Sequence, residues 1–223
     1  MRTLYRYMSC FIISLSLTSS VTSSASQFNQ HASQVEALLK HKIYVEKQGV
    51  GVAVVLFDGD KRQNIHLGFA NKQRGLPVSN NTLFEIGSIT KTFTTTALAS
   101  MVVEGKVNLE DSVQAYLPEN TTLPIKGDKP ITLLSLANHS SGLPRLPTNM
   151  LMPDPLNPYA DYTVDHMYQF LATYELPRMV EAQREYSNIG MGLLGHAMAN
   201  IDNIDYQKVL EKRVLLPLDM TNT

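Results

Sequence analysis

The hydrophobic period of this chain changes once, and that change limits the folds open to it. "GVGVAVVLF" (Gly49 to Phe57) is almost continuously apolar and rich in β-branched residues, with Asp58-Gly59 as a turn signal behind it. "QNIHLGFAN" (Gln63 to Asn71) supplies a return strand. The pattern predicts an early hairpin, and so apolar a first strand is expected to be covered on both faces. From Ser88 onward the spacing is helical. Phe93, Ala97, Leu98, Met101 and Val102 form one stripe, stopped at Gly105. A hairpin followed by a run of helices makes this an α/β chain of the segregated, α+β kind.

More helices are expected on either side. "FNQHASQVEALLKHKIYVEKQ" (Phe28 to Gln48) carries Val35, Leu38, Leu39 and Ile43 near helical spacing. "VNLEDSVQAYLP" reads as a short helix closed by Pro118, and "ITLLSLANHSSGLP" as another ending at Gly142 and Pro144. Thr163 opens "TVDHMYQFLATY", and "NIGMGLLGHAMANI" and "YQKVLEKRVLLPL" follow. "NKQRGLPVSNNT" (Asn71 to Thr82) reads as a polar loop. Leu143 to Tyr162 holds prolines at 144, 147, 153, 155 and 158, so it is an irregular loop, and one this long is often functional. Tyr159 and Tyr162, at its end, are expected to border a substrate cleft.

The N-terminus is a separate object. Arg2 and Arg6 precede the short apolar run "CFIISLSL" (Cys10 to Leu17), and Ser23-Ser24-Ala25 fits a small-x-small cleavage site. This is the pattern of a secretory signal peptide, too short for a transmembrane helix. Residues 1–25 are therefore expected to be a leader, and the mature chain to be exported to a bacterial periplasm. Cys10 is the only cysteine, so the mature chain would have no disulfide, thiolate metal site or cysteine nucleophile. With 223 residues, a net charge of −1 and 43% hydrophobic residues, the chain has apolar content for a real core and no basic surface for nucleic acid.

"FEIGSITKTFT" (Phe84 to Thr94) is the stretch that raises chemistry. Composition alone yields about one Ser-x-x-Lys by chance, and a serine at a helix start is usually an N-cap. Yet a lysine three residues on stands over the serine on a helix and can reach its Oγ. The positive helix N-terminus favours a developing alkoxide, and the Ser88 N–H can serve as one oxyanion donor. No other charged residue lies between Lys91 and Glu104. In "EYSNIG" (Glu185 to Gly190), Tyr186 and Asn188 are two apart, so in an extended turn they project to one side while Ser187 points away. Tyr186 can act as a second base or proton relay, and Asn188 can hold a substrate amide and Lys91. His139 reads as structural and His196 as a core histidine. The spacing of Asp161, Asp165 and His166 fits no metal motif, so neither metal nor cofactor is expected.

Taken together, "FEIGSITKTFT", "ANHSSGLPR", "YSNIG" and "PLDMTNT" resemble the serine β-lactamase and penicillin-binding protein superfamily. The likeness is to the class C β-lactamase, D-Ala-D-Ala carboxypeptidase and esterase branch, including AmpH-like peptidases. It covers roughly Val50 to Thr223. The resemblance implies a β-lactamase/transpeptidase-like fold, in which residues 26–87 begin the α/β domain and residues 88–223 form a mainly helical domain. It implies that Ser88 is acylated, that Lys91 and Tyr186 share the general-base work, and that Asn188 binds the substrate amide or the lysine. The substrate would be a β-lactam, a D-Ala-D-Ala peptide from peptidoglycan or a small ester. The family's third motif, Lys or His, then Thr or Ser, then Gly, has no match after Tyr186. The C-terminal sheet strands that carry it, and the second oxyanion donor with them, are expected to be absent, leaving a catalytically impaired or non-catalytic remnant as an alternative. The hairpin would then keep an open edge and an uncovered apolar face, and the isolated chain would have low stability.

Overall fold

The computed structural model describes residues 19–151, 154 and 157–223, with side chains from residue 25 onward. The apolar run of the expected leader, and Pro153 and Pro155 of the Pro-rich loop, lie outside the described residues. The chain forms two compact units, residues 1–84 and 85–223.

In the first unit, helix α1 spans Ser19–Lys40 and ends in a π-helical turn, His41–Val45. It begins nine residues before the expected Phe28, so the expected cleavage site falls on its backbone. Leu38 is exposed, while Ala32 supplies the fully buried position. Strands β1 (Gly51–Asp58) and β2 (Lys61–Asn71) form the expected antiparallel hairpin around a two-residue loop, with Val52 opposite Leu67, Val54 opposite Ile65 and Asp58 opposite Lys61. A short third strand, β3 (Leu76–Pro77), pairs with β2 across an irregularity at Phe69–Asn71, in the order β1-β2-β3. It lies within the expected polar loop; a Leu-Pro pair has too little pattern to announce a strand, and proline is tolerated because β3 is at an edge. The expectation of cover on both faces of β1 does not hold. Ile65 and Leu67 of β2 are buried, but Ala53, Val55 and Phe57 alternate outward, and Phe57 is 79% exposed. Gly68 is required where it stands: its φ is +75°, and a Cβ there would lie 2.2 Å from the Val50 carbonyl oxygen.

The second unit is helical and holds the larger core. A 3₁₀ turn, Gly87–Ile89, runs into α2 (Thr90–Val103). Beyond α2 the Gly105 N–H donates to Val102 O and the Lys106 N–H to Met101 O, the paired bonds that close a helix end. The threonines on α2 that invite suspicion as polar core residues are satisfied by their own helix. Thr92, Thr94, Thr95 and Thr96 each donate to a carbonyl three or four residues earlier. "VNLEDSVQAYLP" gives only a four-residue 3₁₀ turn, Val113–Tyr116, and the next helix, α3 (Leu133–Ala137), stops before Gly142. Helix α4 (Val164–Thr173) starts at Thr163 as expected. The Thr163 side chain accepts the His166 N–H, and the His166 side chain returns to the Thr163 N–H, forming a capping box. Helix α5 (Asn188–Asp202) and α6 (Tyr206–Leu210), extended by a π-helical turn Glu211–Leu215, complete the unit. Leu193, Leu194, Ala197 and Met198 of α5 are fully buried against Ala97, Leu98 and Met101 of α2, with Leu133, Leu136, Phe170 and Leu171 packed around them. No helix among the described residues is long and apolar enough to cross a membrane.

Candidate active site

Ser88 sits in the 3₁₀ turn, one residue past Gly87, whose φ of +53° places it in the left-handed region. That kink lifts the serine out of the start of α2. Neither the turn nor α2 is capped by a side chain, so Ser88 is not the N-cap that base rates favour. Its Oγ instead accepts two hydrogen bonds, from Lys91 Nζ at 3.2 Å and from Tyr186 Oη at 2.5 Å. The lysine arrives by helical spacing within one element. The tyrosine arrives from 98 positions away.

Tyr186 lies in an irregular segment just before α5, held by the irregular stretch that follows α3. The Glu185 N–H donates to His139 O at 2.8 Å, and the Asn188 N–H to Arg145 O at 2.9 Å. The Ser187 N–H donates to His139 Nδ1 at 3.2 Å, and Ser187 Oγ donates to Pro144 O at 2.7 Å. Ser187 also caps α5 by accepting the Gly190 N–H. Ser187 is buried and extended, so it turns inward while Tyr186 reaches Ser88 and Asn188 lines the adjoining cavity, in keeping with the alternation in "YSN". The segment "ANHSSGLPR" is thus the bed on which "YSN" rests, which is a physical reason for the two to occur together.

The electrostatics around Tyr186 favour its ionised form. Its interaction with Lys91 lowers the phenol below the ordinary tyrosine range, followed by the bond to Ser88 and by the charges of Lys91 and Arg145; partial burial opposes them. Lys91 Nζ lies 4.8 Å from the Tyr186 ring centroid and the Arg145 guanidinium carbon 5.1 Å. Arg145 has no distinctive sequence spacing and was not among the expected site residues. The only signal for it is its place in "ANHSSGLPR".

Ser88, Lys91, Tyr159, Asn188, His196 and Tyr206 are among the residues that line a cavity of about 550 Å³. Asn188 Oδ1 is buried there without a hydrogen-bond partner among the described residues, an acceptor open to a donor from a bound molecule. A second cavity of about 250 Å³ shares Tyr159, Asn188 and His196 and adds Tyr162, Met150 and Leu146. Tyr159 and Tyr162 of the Pro-rich loop therefore both line cavity walls. His196 is not the core residue its apolar helix suggests. It is half-buried on the wall of both cavities, 2.6 Å from Tyr168 Oη, and burial holds its imidazole below the usual range. Tyr206 backs the first cavity and is tied to α2 through Thr94 Oγ1 at 2.7 Å.

A serine joined to both a lysine and a tyrosine at a cavity, in a chain of short antiparallel strands followed by a helical body, fits the β-lactamase/transpeptidase-like fold. The chain belongs to the beta-lactamase family, whose profile matches residues 28–223. It is 31% identical over 226 residues to a beta-lactamase of Providencia stuartii, an alignment covering 100% of this chain and 53% of the relative. It is 28% identical over 218 residues to the D-alanyl-D-alanine-carboxypeptidase/endopeptidase AmpH of Escherichia coli K12, covering 93% and 56%. Among solved structures it is similar to a beta-lactamase/D-alanine carboxypeptidase from Yersinia pestis, with a TM-score of 0.73, 26% identity, and cover of 84% and 54%. The chain spans about half the length of the curated relatives it matches.

Proposed function

We propose that this chain is the acylating part of an exported serine acyl hydrolase of the penicillin-recognising type, working through an acyl-enzyme at Ser88. The observation that carries the reading is the convergence of Lys91 Nζ and Tyr186 Oη on Ser88 Oγ. A serine hydroxyl becomes a competent nucleophile only when a neighbour takes its proton. Tyr186, whose ionised form is favoured by Lys91 and then by Arg145, acts as the base that takes that proton as Oγ attacks the carbonyl carbon. The Ser88 N–H, at the start of the turn, supports the oxyanion. Collapse breaks the carbonyl–nitrogen bond, and the proton held by Tyr186 passes to the leaving amine. Water then attacks the Ser88 ester and gives one proton to the tyrosine–lysine pair; the acyl carbon–Oγ bond breaks, that proton returns to Oγ, and the acid leaves with the water's oxygen. Asn188, with its unpartnered Oδ1, would accept an amide N–H of the acyl group.

The substrates named for the relatives, β-lactams and D-alanyl-D-alanine peptides, are the first candidates here, with small esters as a further class. Export rests on the leader pattern of residues 1–25. The test is mass spectrometry of the 26–223 protein after incubation with a labelled penicillin. The acylation reading expects a covalent adduct that disappears in Ser88→Ala. A folded wild-type protein that takes no adduct from a penicillin or from a nitrophenyl ester would overturn it.

A further inference from the structure

We infer that His139 is the positioning residue for Tyr186, and that it does this work as a neutral imidazole whose Nδ1 holds the backbone beside the tyrosine. The catalytic consequence rests on the serine acylation reading above; the structural role does not.

Tyr186 belongs to neither a helix nor a strand, yet its Oη must stay 2.5 Å from Ser88 Oγ. Both of its neighbours are tied to one residue. On one side the Glu185 N–H donates to the His139 carbonyl, and on the other the Ser187 N–H donates to His139 Nδ1. The His139 ring also lies against the Tyr186 ring, with centroids 4.6 Å apart. Three contacts therefore fix the tyrosine from a single side chain and its carbonyl. The backbone of His139 gives a second reason to think the side chain matters. Its φ is +66°, a region where glycine is easiest and asparagine is tolerated. Glycine would make this turn with less strain but would leave the buried Ser187 N–H without an acceptor.

The bond to Nδ1 settles the tautomer: the ring proton is on Nε2. A second proton would have to go on Nδ1, facing the Ser187 N–H. His139 is 6% exposed, and burial first, then the charges of Arg184 and Lys91, disfavour the imidazolium. Arg145, against the same tyrosine ring, adds another positive charge. The nearby Glu185 carboxylate is paired to Arg178 at 2.5 Å. When acid does force the proton on, the Ser187 bond is lost and Tyr186 is released on that side.

The test compares wild type with His139→Asn and His139→Ala. Asparagine suits the left-handed backbone, and its Oδ1 takes the place of Nδ1 but does not titrate. The first readout needs no activity: the Ser187 amide resonance, followed by NMR as pH is lowered from about 7.5 through the histidine range. Wild type is expected to show a sigmoidal shift, and His139→Asn none while it stays folded. The second readout is the acylation of Ser88 by p-nitrophenyl acetate. His139→Ala is expected to lower the limiting rate about tenfold or more with half-saturation little changed, and His139→Asn to recover most of it and lose the histidine acid limb. An unchanged rate in folded His139→Ala, or a Ser187 transition that persists in His139→Asn, overturns the inference. If His139→Ala does not fold, the asparagine variant decides it. A wild type that shows the Ser187 transition but no acylation would sink the acylation reading and leave the positioning role standing.

Discussion

Arg213 is the residue on which the helical unit closes. Its side chain is 1% exposed and grips Asp202 through two bonds, Nε–Oδ2 at 2.7 Å and Nη2–Oδ1 at 2.8 Å. Its Nη1 reaches Ser100 and Glu104, both at 3.0 Å, so the end of α2, the end of α5 and the last turn meet on one guanidinium. Replacing it with methionine would keep much of the volume but leave the Asp202 carboxylate, 2% exposed, with only Lys106 and Lys212. The expected loss is about 3 kcal/mol, read as a lower urea midpoint. Bonds from Arg213, and then from Lys106, hold the Asp202 carboxyl well below the usual carboxylate range. The unfolded chain therefore takes up a proton near pH 4 that the folded chain refuses, and stability falls as pH drops through and below that range. Asp202→Asn should flatten that acid slope and lower stability at neutral pH. None of this was legible in the sequence. Ser88, Lys91 and Tyr186 stood out because short motifs fix their local geometry. Arg213 finds Glu104 and Ser100 109 and 113 positions away, where no spacing rule reaches.

Elements announced themselves in proportion to their length and their punctuation. Helix α4 was readable because Thr163 caps it and Met167, Phe170 and Leu171 repeat at helical spacing. Thr163→Ala removes the acceptor of the His166 N–H and should cost about 1 kcal/mol in thermal or urea unfolding. Val164 and Tyr162, on either side of that cap, line the cavities, so the same change should also weaken substrate retention in any active form. Strand β3 and the Val113–Tyr116 turn were missed or overcalled because two to four residues carry too little pattern. The strand β1 is the opposite case. Its apolar run predicted a strand correctly but implied a second cover that the described residues do not supply, since Val55 and Phe57 are 45% and 79% exposed. Among the described residues β1 pairs only with β2, which leaves an apolar edge unpaired within them. Val55→Lys with Phe57→Lys, two outward positions on one face, should reduce self-association of the 26–223 protein in light scattering without changing the hairpin register.

The two units differ most at the scale of the whole molecule, in the amount of apolar surface each buries. The contiguous core, from Ala97 to Val214, belongs entirely to residues 85–223. In the other unit the buried apolar side chains among the described residues are Ala32, Ile65, Leu67 and Val78. A three-stranded sheet with one helix and so few buried side chains has little to offset the entropy of ordering its chain. The helical unit has Arg213, two capping boxes and the packed faces of α2 and α5. Unfolding should therefore not be a single two-state event. Hydrogen exchange is expected to protect the amides of α2 and α5 most and those of β1 and β2 least, with the hairpin exchanging at denaturant concentrations that leave the helices intact. The site residues Ser88, Lys91, Tyr186 and Asn188 all lie in the better-packed unit, so the adduct-forming geometry should survive the loss of the hairpin. One cooperative melt at high temperature, with equal protection in both units, would show that the hairpin and the helical body stabilise each other more than their separate cores imply.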